Sequence, residues 1–517
     1  MEDEGLISEE QYAFTAGKST IEPALMKKMV SEHAIHHKHE VSMLDIDLSK
    51  AYDTVEGWII EVALRRLGVP YHFINILRDL HLKHNIHTKT GYGNTGGITP
   101  ELGGCPQGAT ESCAIFVAIM DLGLEVTKEA NATPYKIAGV DTTQLMYCDD
   151  ATYIVRGGPE RLIPIVNALV AFNTIASLQI NHKKSFVSTI AWNGNDPRET
   201  IHPPLQLPTY SPKWTNDTDG ATLAWQLTKN TDNPSAQIKC IPHTQIYRHL
   251  GNFQSIMGDT GSLLQDVRAD IAYASRALGR TTITAEHAMY CNNSIIRPKV
   301  MYKLKFSNAS IDSIDDAQKS LKKTLLNKAG CRNTLSNNLT WSTVGGMGFQ
   351  RLSDLVNTER LSMLLHILST KESLARTLTV DAVDRLQRLT ASNQPVLETK
   401  YSHHPEDSVG HTWVSRLWEW MSDNNIAVQD PDITAGTQRM KGTCLRTTLQ
   451  GMARAQRIET IRHLTEHKLC TTADLTLRDG RTLTHFVRND KTLTNYCRDT
   501  LSSPDDRTLP DRHHSTA

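Results

Sequence analysis

The sequence predicts an α+β protein in which a small antiparallel sheet precedes a long helical region, and three observations support this. Residues 41–48 form an apolar run of strand length that leads into a loop bearing a carboxylate. Residues 145–147 and 152–155 are short apolar runs flanking a polar turn, the pattern of a hairpin. From Ser262 onward the apolar positions recur mostly at helical spacing.

The elements follow in order. Ile21, Ala24, Leu25 and Met29 predict a helix over residues 20–39. Residues 57–82 are amphipathic and helical with a break at Gly68-Val69-Pro70, residues 91–108 are rich in glycine, and residues 114–124 read as a buried helix. A further helix is expected over residues 159–177. Between residues 193 and 242 the composition shifts to Pro, Asn, Asp and Thr, which predicts a surface insertion or long loop. Over residues 311–328, Ile311, Ile314, Leu321 and Leu325 face one way while Lys319, Lys322 and Lys323 lie mostly away from them. Asp479-Gly480 within residues 475–484 is a hairpin signal.

At 517 residues the chain has room for three or four packed units at roughly 100–200 residues each. Its 39% hydrophobic and 21% charged residues argue against wholesale disorder. No apolar run approaches the ~20 residues that span a bilayer, so no membrane partner is expected. The acidic start, Met1-Glu2-Asp3-Glu4, differs from a secretory or organellar signal, and an intracellular location, nuclear or cytoplasmic, is the default. Nine cysteines without a C-x-x-C pair fit a reducing compartment and offer no zinc framework. Lys plus Arg, 55, nearly balances Asp plus Glu, 56, so any nucleic-acid surface must be a local patch.

Transfer of a nucleotidyl group by the two-metal route needs a few carboxylates fixed on rigid backbone, because the ions must hold the triphosphate and the attacking oxygen in line. Two places supply them. Asp47 ends the run Val-Ser-Met-Leu-Asp-Ile-Asp, and Asp149-Asp150 sit in the turn of the expected hairpin. Either feature alone is ordinary, since Asp pairs commonly form turns.

Taken in order, these and further motifs resemble the reverse transcriptases of LINE-type, non-LTR retrotransposons over about residues 10–360. Gln11-Tyr12-Ala13-Phe14 with Gly17-Lys18-Ser19-Thr20 resembles the fingers motif Q-x-G-F-x-x-G-R-S-T, and Asp47-Leu48-Ser49-Lys50-Ala51-Tyr52-Asp53-Thr54-Val55 resembles D-x-x-K-A-F-D-x-V. Gly104-Cys105-Pro106-Gln107-Gly108 is similar to G-x-P-Q-G, Tyr147-Cys148-Asp149-Asp150 to Y-x-D-D, and Leu178-Gln179-Ile180-Asn181 with Lys184 to L-x-I-N-x-x-K. Tyr247-Arg248-His249-Leu250-Gly251 is similar to the primer-grip Y-L-G with one extra residue, and Gly345-Gly346-Met347-Gly348 to the G-G-L-G after the thumb.

The resemblance implies a right-hand polymerase: partial fingers and palm over residues 1–255, a helical thumb over 256–335, and a mostly helical C-terminal region over 336–517. It implies templated addition of deoxynucleotides to a DNA primer on an RNA template, with two Mg²⁺ ions, or Mn²⁺ in their place. Asp47, Asp149 and Asp150 would be the metal-binding and catalytic triad. Lys184 would be the acid for departing pyrophosphate, Tyr52 would exclude a 2′-hydroxyl, and Gln107, Gly108 and Lys18 would contact the nucleotide. Lys319, Lys322 and Lys323 would track the nucleic-acid backbone, an alternative to an ordinary solvated face.

Several positions depart from the pattern. Thr15 and Lys18 stand where the family has arginines, and neither offers bidentate phosphate contact. Glu111 follows the Gln107-Gly108 loop, and Asp45, two residues before Asp47, is placed to compete for an ion. The chain opens just before the fingers motif, which predicts an N-terminally truncated copy. The alternative reading is therefore a degenerate copy that binds nucleic acid or serves a structural role without polymerising. His33, His36, His37 and His39 cluster, but with no third-ligand motif nearby they predict a solvated helix face and not a zinc site.

Overall fold

The computed structural model describes residues 6–82, 87, 89–94, 104–105, 109–194, 196–198, 202–216, 223–230, 236–258, 260–335, 340, 348–370, 373–390, 394–401 and 410–433. They form an α+β protein in two compact units, which divide along the chain after Gln265, with Glu372–Leu378 belonging to the first. The expected boundary at 255 thus falls ten residues early, because the helix that follows begins before the division.

The first unit is built on a six-stranded sheet. Its strands are β1 (Val41–Ile46), β2 (Gln144–Tyr147), β3 (Asp150–Arg156), β4 (Phe186–Ile190), β5 (Leu205–Leu207) and β6 (Ala236–Ile241), in the order β5-β6-β4-β1-β3-β2. All neighbours run antiparallel except β4 and β6, so the sheet is mixed and not purely antiparallel. The stretch over residues 193–242 is correspondingly no mere surface insertion. It supplies β5 and β6 to the main sheet, and Thr209–Asn216 pairs with Leu223–Asn230 as a long hairpin between them. Leu205, Leu207 and Ile238 are apolar and buried, whereas the polar residues that mask the strand signal occupy the alternate positions.

β1 is buried along its whole length because it is central and covered on both faces. Leu44 and Ile46 join one apolar core with α2 (Gly57–Arg66), α4 (Thr110–Glu129) and α5 (Ile163–Ile175). Between α2 and α4 lies α3 (Tyr71–Leu82), and Gly68-Val69-Pro70 breaks the α2–α3 run as expected, Gly68 taking a φ of +74°.

Preceding β1 is α1 (Ile21–His37), which is buried from Glu22 to Ala34, more than three turns, charged residues included. The fully buried Lys27 ammonium bonds the Asp45 carboxylate. Thr152, opposite Asp45 in the β1–β3 ladder, donates to the same carboxylate at 2.7 Å. Asp45 therefore serves an internal ion pair, not an ion at the active site. His33 is likewise buried and bonded to the Tyr135 hydroxyl at 2.7 Å, with His39 at 3.2 Å, so the histidine cluster does not form the expected solvated face.

The second unit is helical where it is described. α6 (Gly261–Arg280), which starts in the first unit, is followed by α7 (Ala285–Cys291), α8 (Arg297–Leu304), α9 (Ile311–Lys328), α10 (Leu352–Ser369), α11 (Leu374–Thr390), whose residues up to Leu378 also belong to the first unit, and α12 (Trp413–Asp423). Buried Arg360 on α10 donates to the carbonyls of Leu304 at 3.1 Å, Lys305 at 3.2 Å and Ser307 at 2.6 Å, closing the C-terminal end of α8 with a cation. The expected hairpin at Asp479-Gly480 lies outside the described residues, as do Gly345, Gly346 and Met347.

Lys27→Met leaves the Asp45 carboxylate buried without its cation, and the expected loss is about 3–5 kcal/mol of stability. Lys27→Met/Asp45→Asn should recover part of it, which the urea midpoints of the two variants compare directly.

Candidate active site

Asp47 stands one residue past the end of β1. The β1–β3 register sets Asp45 against Thr152 and Ile46 against Ala151, and one more step sets Asp47 beside Asp150. β2 and β3 pair through Tyr147 and Asp150, so the hairpin turn is only Cys148-Asp149, two residues shorter than the polar turn read from the sequence. Cys148 occupies its first position with φ of 60°, the sign required in the tight turns that match strand twist.

The result is a crowded group of carboxylates. Burial, and next the nearby Asp149 and Asp47, push the Asp150 carboxyl up to about 6. Asp149 is raised as well, first by burial and then by Asp47. Lys184 partly offsets both, and its ammonium lies 3.4 Å from Asp47 Oδ1. Lys184 is 68% exposed, so this contact is weak and open to exchange. Asp47 Oδ2 is buried and takes no hydrogen bond.

The segment that carries Lys184 is stitched to Asp47 through the backbone. Gln179–Ile180 pairs with Leu48–Ser49, the Asn181 N–H donates to the Asp47 carbonyl at 2.8 Å, and the Lys184 N–H donates to the Asn181 carbonyl at 3.0 Å. From the other side, the Asp47 N–H donates to Ser185 Oγ at 3.1 Å. Lys183 is exposed and has no such connection to Asp47.

Tyr52 sits in the single helical turn Ala51–Thr54. Its ring stacks on Phe116 with centroids 4.4 Å apart, and its hydroxyl lies 3.1 Å from Cys148 Sγ. Burial raises the Tyr52 hydroxyl far above its usual range and pushes the Cys148 thiol up to about 12, so both stay protonated. Gln107 and Gly108 lie outside the described residues, but the residues leading to them dock on the backbone around Tyr52. Cys105 N–H donates to the Tyr52 carbonyl at 2.7 Å and Gly104 N–H to the Val55 carbonyl at 3.0 Å. Gly104 has a φ of +78°, and a Cβ there would come within 3.0 Å of the Asp53 carbonyl oxygen.

Lys18 turns back on its own segment, donating to the carbonyls of Glu9 at 3.0 Å and Gln11 at 3.1 Å, and lies over the Tyr12 ring. Glu111 falls in the first turn of α4, where the helix dipole favours a negative charge. The hairpin of Tyr247–His249 with Asn252–Gln254 packs Tyr247 against Phe186 and beneath the Lys27 ammonium, 4.5 Å from the ring centre. His249 Nδ1 reaches Asp45 Oδ1 at 3.4 Å. Its neighbours are not adjacent in sequence, and no local signal marks this connection. Lys319, Lys322 and Lys323 belong to the second unit, where Lys319 pairs with Asp316 and Lys323 is exposed.

The arrangement of strand-end Asp47 against a Tyr147-Cys148-Asp149-Asp150 hairpin coincides with a family match. Residues 1–222 match the family described as reverse transcriptase (RNA-dependent DNA polymerase). Over these residues the chain is similar to reverse transcriptase domains. The enzymes of that description are nucleotidyltransferases that make DNA on RNA. Among solved structures, the telomerase of Candida tropicalis in complex with the TWJ fragment of telomeric RNA is similar at 11% identity, with 68% of this chain and 50% of that chain covered and a TM-score of 0.26. This chain thus spans half the length of that one. No curated protein matches. Among the described residues, no helix is long and apolar enough to cross a membrane.

His249 links this site to acidity. Burial, and next the Lys27 ammonium, hold its imidazole down at about 3 against an ordinary 6.5. Unfolded chains take up the proton first as pH falls, so this stabilisation is complete above 6.5 and drains away toward 3. Asp150, raised from 3.8 to about 6, works in the opposite direction within its own window. His249→Asn should therefore remove up to about 1.4 kcal/mol per pH unit of acid-side loss, seen in urea melts of variant and wild type between pH 6.5 and about 5.

Proposed function

We propose that the chain is an RNA-directed DNA polymerase of the non-LTR retrotransposon type, adding deoxynucleotides to a DNA primer paired with an RNA template. The observation that carries this reading is the meeting of Asp47 with Asp149 and Asp150, 102 and 103 positions away in sequence, beside Tyr52 and Lys184.

Divalent cations of the Mg²⁺ type fit these residues. Asp47 Oδ2 is a buried acceptor without a donor, and the mutual repulsion that raises Asp149 and Asp150 is the kind a cation relieves. Among the described residues no three His, Cys, Asp or Glu side chains form a group that could hold a metal ion by themselves. Mg²⁺ usually takes one or two protein carboxylates and completes its shell with water and phosphate oxygens. Asp47 and Asp149 would be the direct ligands, with Asp150 completing the anionic field. Bound there, two such ions would align the triphosphate with the attacking 3′ oxygen and neutralise charge as it develops.

The other roles fall to side chains of this chain. Tyr52, held by Phe116 behind it and Cys148 at its hydroxyl, presents a fixed edge where a sugar would sit and would exclude a 2′-hydroxyl. Lys184, loosely paired with Asp47, is free to turn its ammonium toward the departing pyrophosphate, offsetting charge and donating a proton. Gln107 and Gly108 would approach the nucleotide and template. Lys18 would reach a phosphate only after leaving the Glu9 and Gln11 carbonyls, which favours the second reading, a copy that binds template and primer without extending them. Lys319, Lys322 and Lys323 would contribute salt-dependent contact with the duplex.

Primer extension on an RNA template with Mg²⁺ or Mn²⁺ tests the reading. Wild-type extension that is lost in Asp149→Asn supports it, while undiminished extension in that variant would overturn the site. No extension by a wild type that still binds template and primer would favour the second reading. Tyr52→Val should admit ribonucleotides that the wild type rejects, measured as the ratio of kcat/KM for a deoxynucleotide and its ribonucleotide counterpart.

A further inference from the structure

The turn that presents Asp149 is strained and is held from outside its own hairpin. Cys148 adopts a φ of 60°, a conformation that residues with a Cβ rarely take. Such backbone persists where surrounding groups over-determine it. Within the hairpin, the pair that closes on the turn is Tyr147–Asp150.

The restraint comes from the segment around Gln11, 137 positions away along the chain. Gln11 is fully buried, and its Oε1 accepts the Cys148 N–H at 3.1 Å and the Ala13 N–H at 3.0 Å. Both partners are donors, which settles that the amide oxygen faces them. Its own backbone runs beside β2 as an additional parallel bridge with Met146. Tyr12 N–H donates to the Met146 carbonyl and Met146 N–H to the Glu10 carbonyl, each at 2.9 Å. Lys18, bonded to the carbonyls of Glu9 and Gln11, ties this segment together. One amide oxygen therefore joins a braced segment to the one strained peptide that immediately precedes Asp149.

We propose that Gln11 is a positioning residue for the polymerase site: its Oε1 locks the Cys148 peptide in the left-handed turn that sets Asp149 against Asp47. This deepens the polymerase reading and rests on it for its catalytic consequence. The neutral amide also matters chemically. A carboxylate in its place would accept the same two N–H groups but add charge beside Asp149 and Asp150, which already repel one another. Gln11 Nε2 is buried without a partner, a desolvation cost that stands against the two bonds its Oε1 accepts.

Amide hydrogen exchange read by mass spectrometry, together with primer-extension kinetics, tests this on the full chain. Gln11→Met keeps the approximate shape and removes the acceptor. Peptides covering residues 146–150 should exchange about tenfold faster, the factor one hydrogen bond of ordinary net strength supplies, while peptides from α1 and β1 stay unchanged. The kcat should fall by a similar factor with KM for template and primer unaltered. Gln11→Glu, which keeps an acceptor for the Cys148 N–H, should restore hairpin protection. If Gln11→Met does not fold, Gln11→Asn, whose oxygen falls one methylene short of Cys148, carries the same comparison. Unchanged exchange at 146–150, or acceleration spread evenly over the chain, would overturn the proposal. A wild type that extends no primer would defeat the polymerase reading instead, and the exchange result would still decide whether Gln11 locks the turn.

Discussion

The antiparallel register between β1 and β3 is the constraint on which the rest of the site depends. Pairing Asp45 with Thr152 and Ile46 with Ala151 brings Asp47 to the hairpin tip. A slip of one residue would reverse every side chain of the strand, sending Leu44 and Ile46 out of the core and Asp45 into it. Two different penalties thus guard one alignment. The apolar face loses its partners on α2, α4 and α5, and the polar face loses the Lys27–Asp45–Thr152 arrangement. A buried ion pair is weak evidence for stability, but breaking one is costly, and here that cost falls on misaligned pairings.

The opposite demand acts a few ångströms further along. Asp47, Asp149 and Asp150 repel one another and are partly buried, so their placement is unfavourable when considered alone. The fold tolerates it because the carboxylates sit at strand ends and in a turn, where hydrogen bonds to the backbone fix positions without help from the carboxylates themselves. The segment from Leu178 to Ser185 adds a second set of such bonds around Asp47 and brings Lys184 to its rim. The turn at Cys148 is held from two directions, by Gln11 at its peptide N–H and by the Tyr52 hydroxyl at its thiol. Tyr52, proposed to select the nucleotide, and the turn that presents Asp149 consequently share Cys148 as a partner.

Much of this was legible in the residues. The helix at Ile21–His37, the break at Gly68, the buried helix around residues 114–124 and the helix Ile311–Lys328 follow from local periodicity and punctuation. The Asp47 and Tyr147-Cys148-Asp149-Asp150 motifs marked the carboxylates. The strands at residues 205–207 and 236–241 were hidden, because a short strand with polar alternate positions looks like a loop until a neighbour is known. The histidines of α1 misled for a similar reason: helical spacing locates a face but not what covers it, and Tyr135 covers His33.

By itself the sequence determined the types of the longer elements, the order of the motifs and the identity of the acids, since these depend on side-chain chemistry and short-range spacing. Only the tertiary structure decided which of two acids on one strand faces the site. Asp45 is drawn inward by Lys27, and Asp47 is left at the strand end beside Lys184. It also decided that Lys18 and Gln11 brace a segment, and that His249 meets Asp45. The physical reason is that a charge or an amide takes its role from the partners that reach it, and these can lie far along the chain, 18 positions for Lys27 and Asp45 and 137 both for Gln11 and Cys148 and for Asp47 and Lys184.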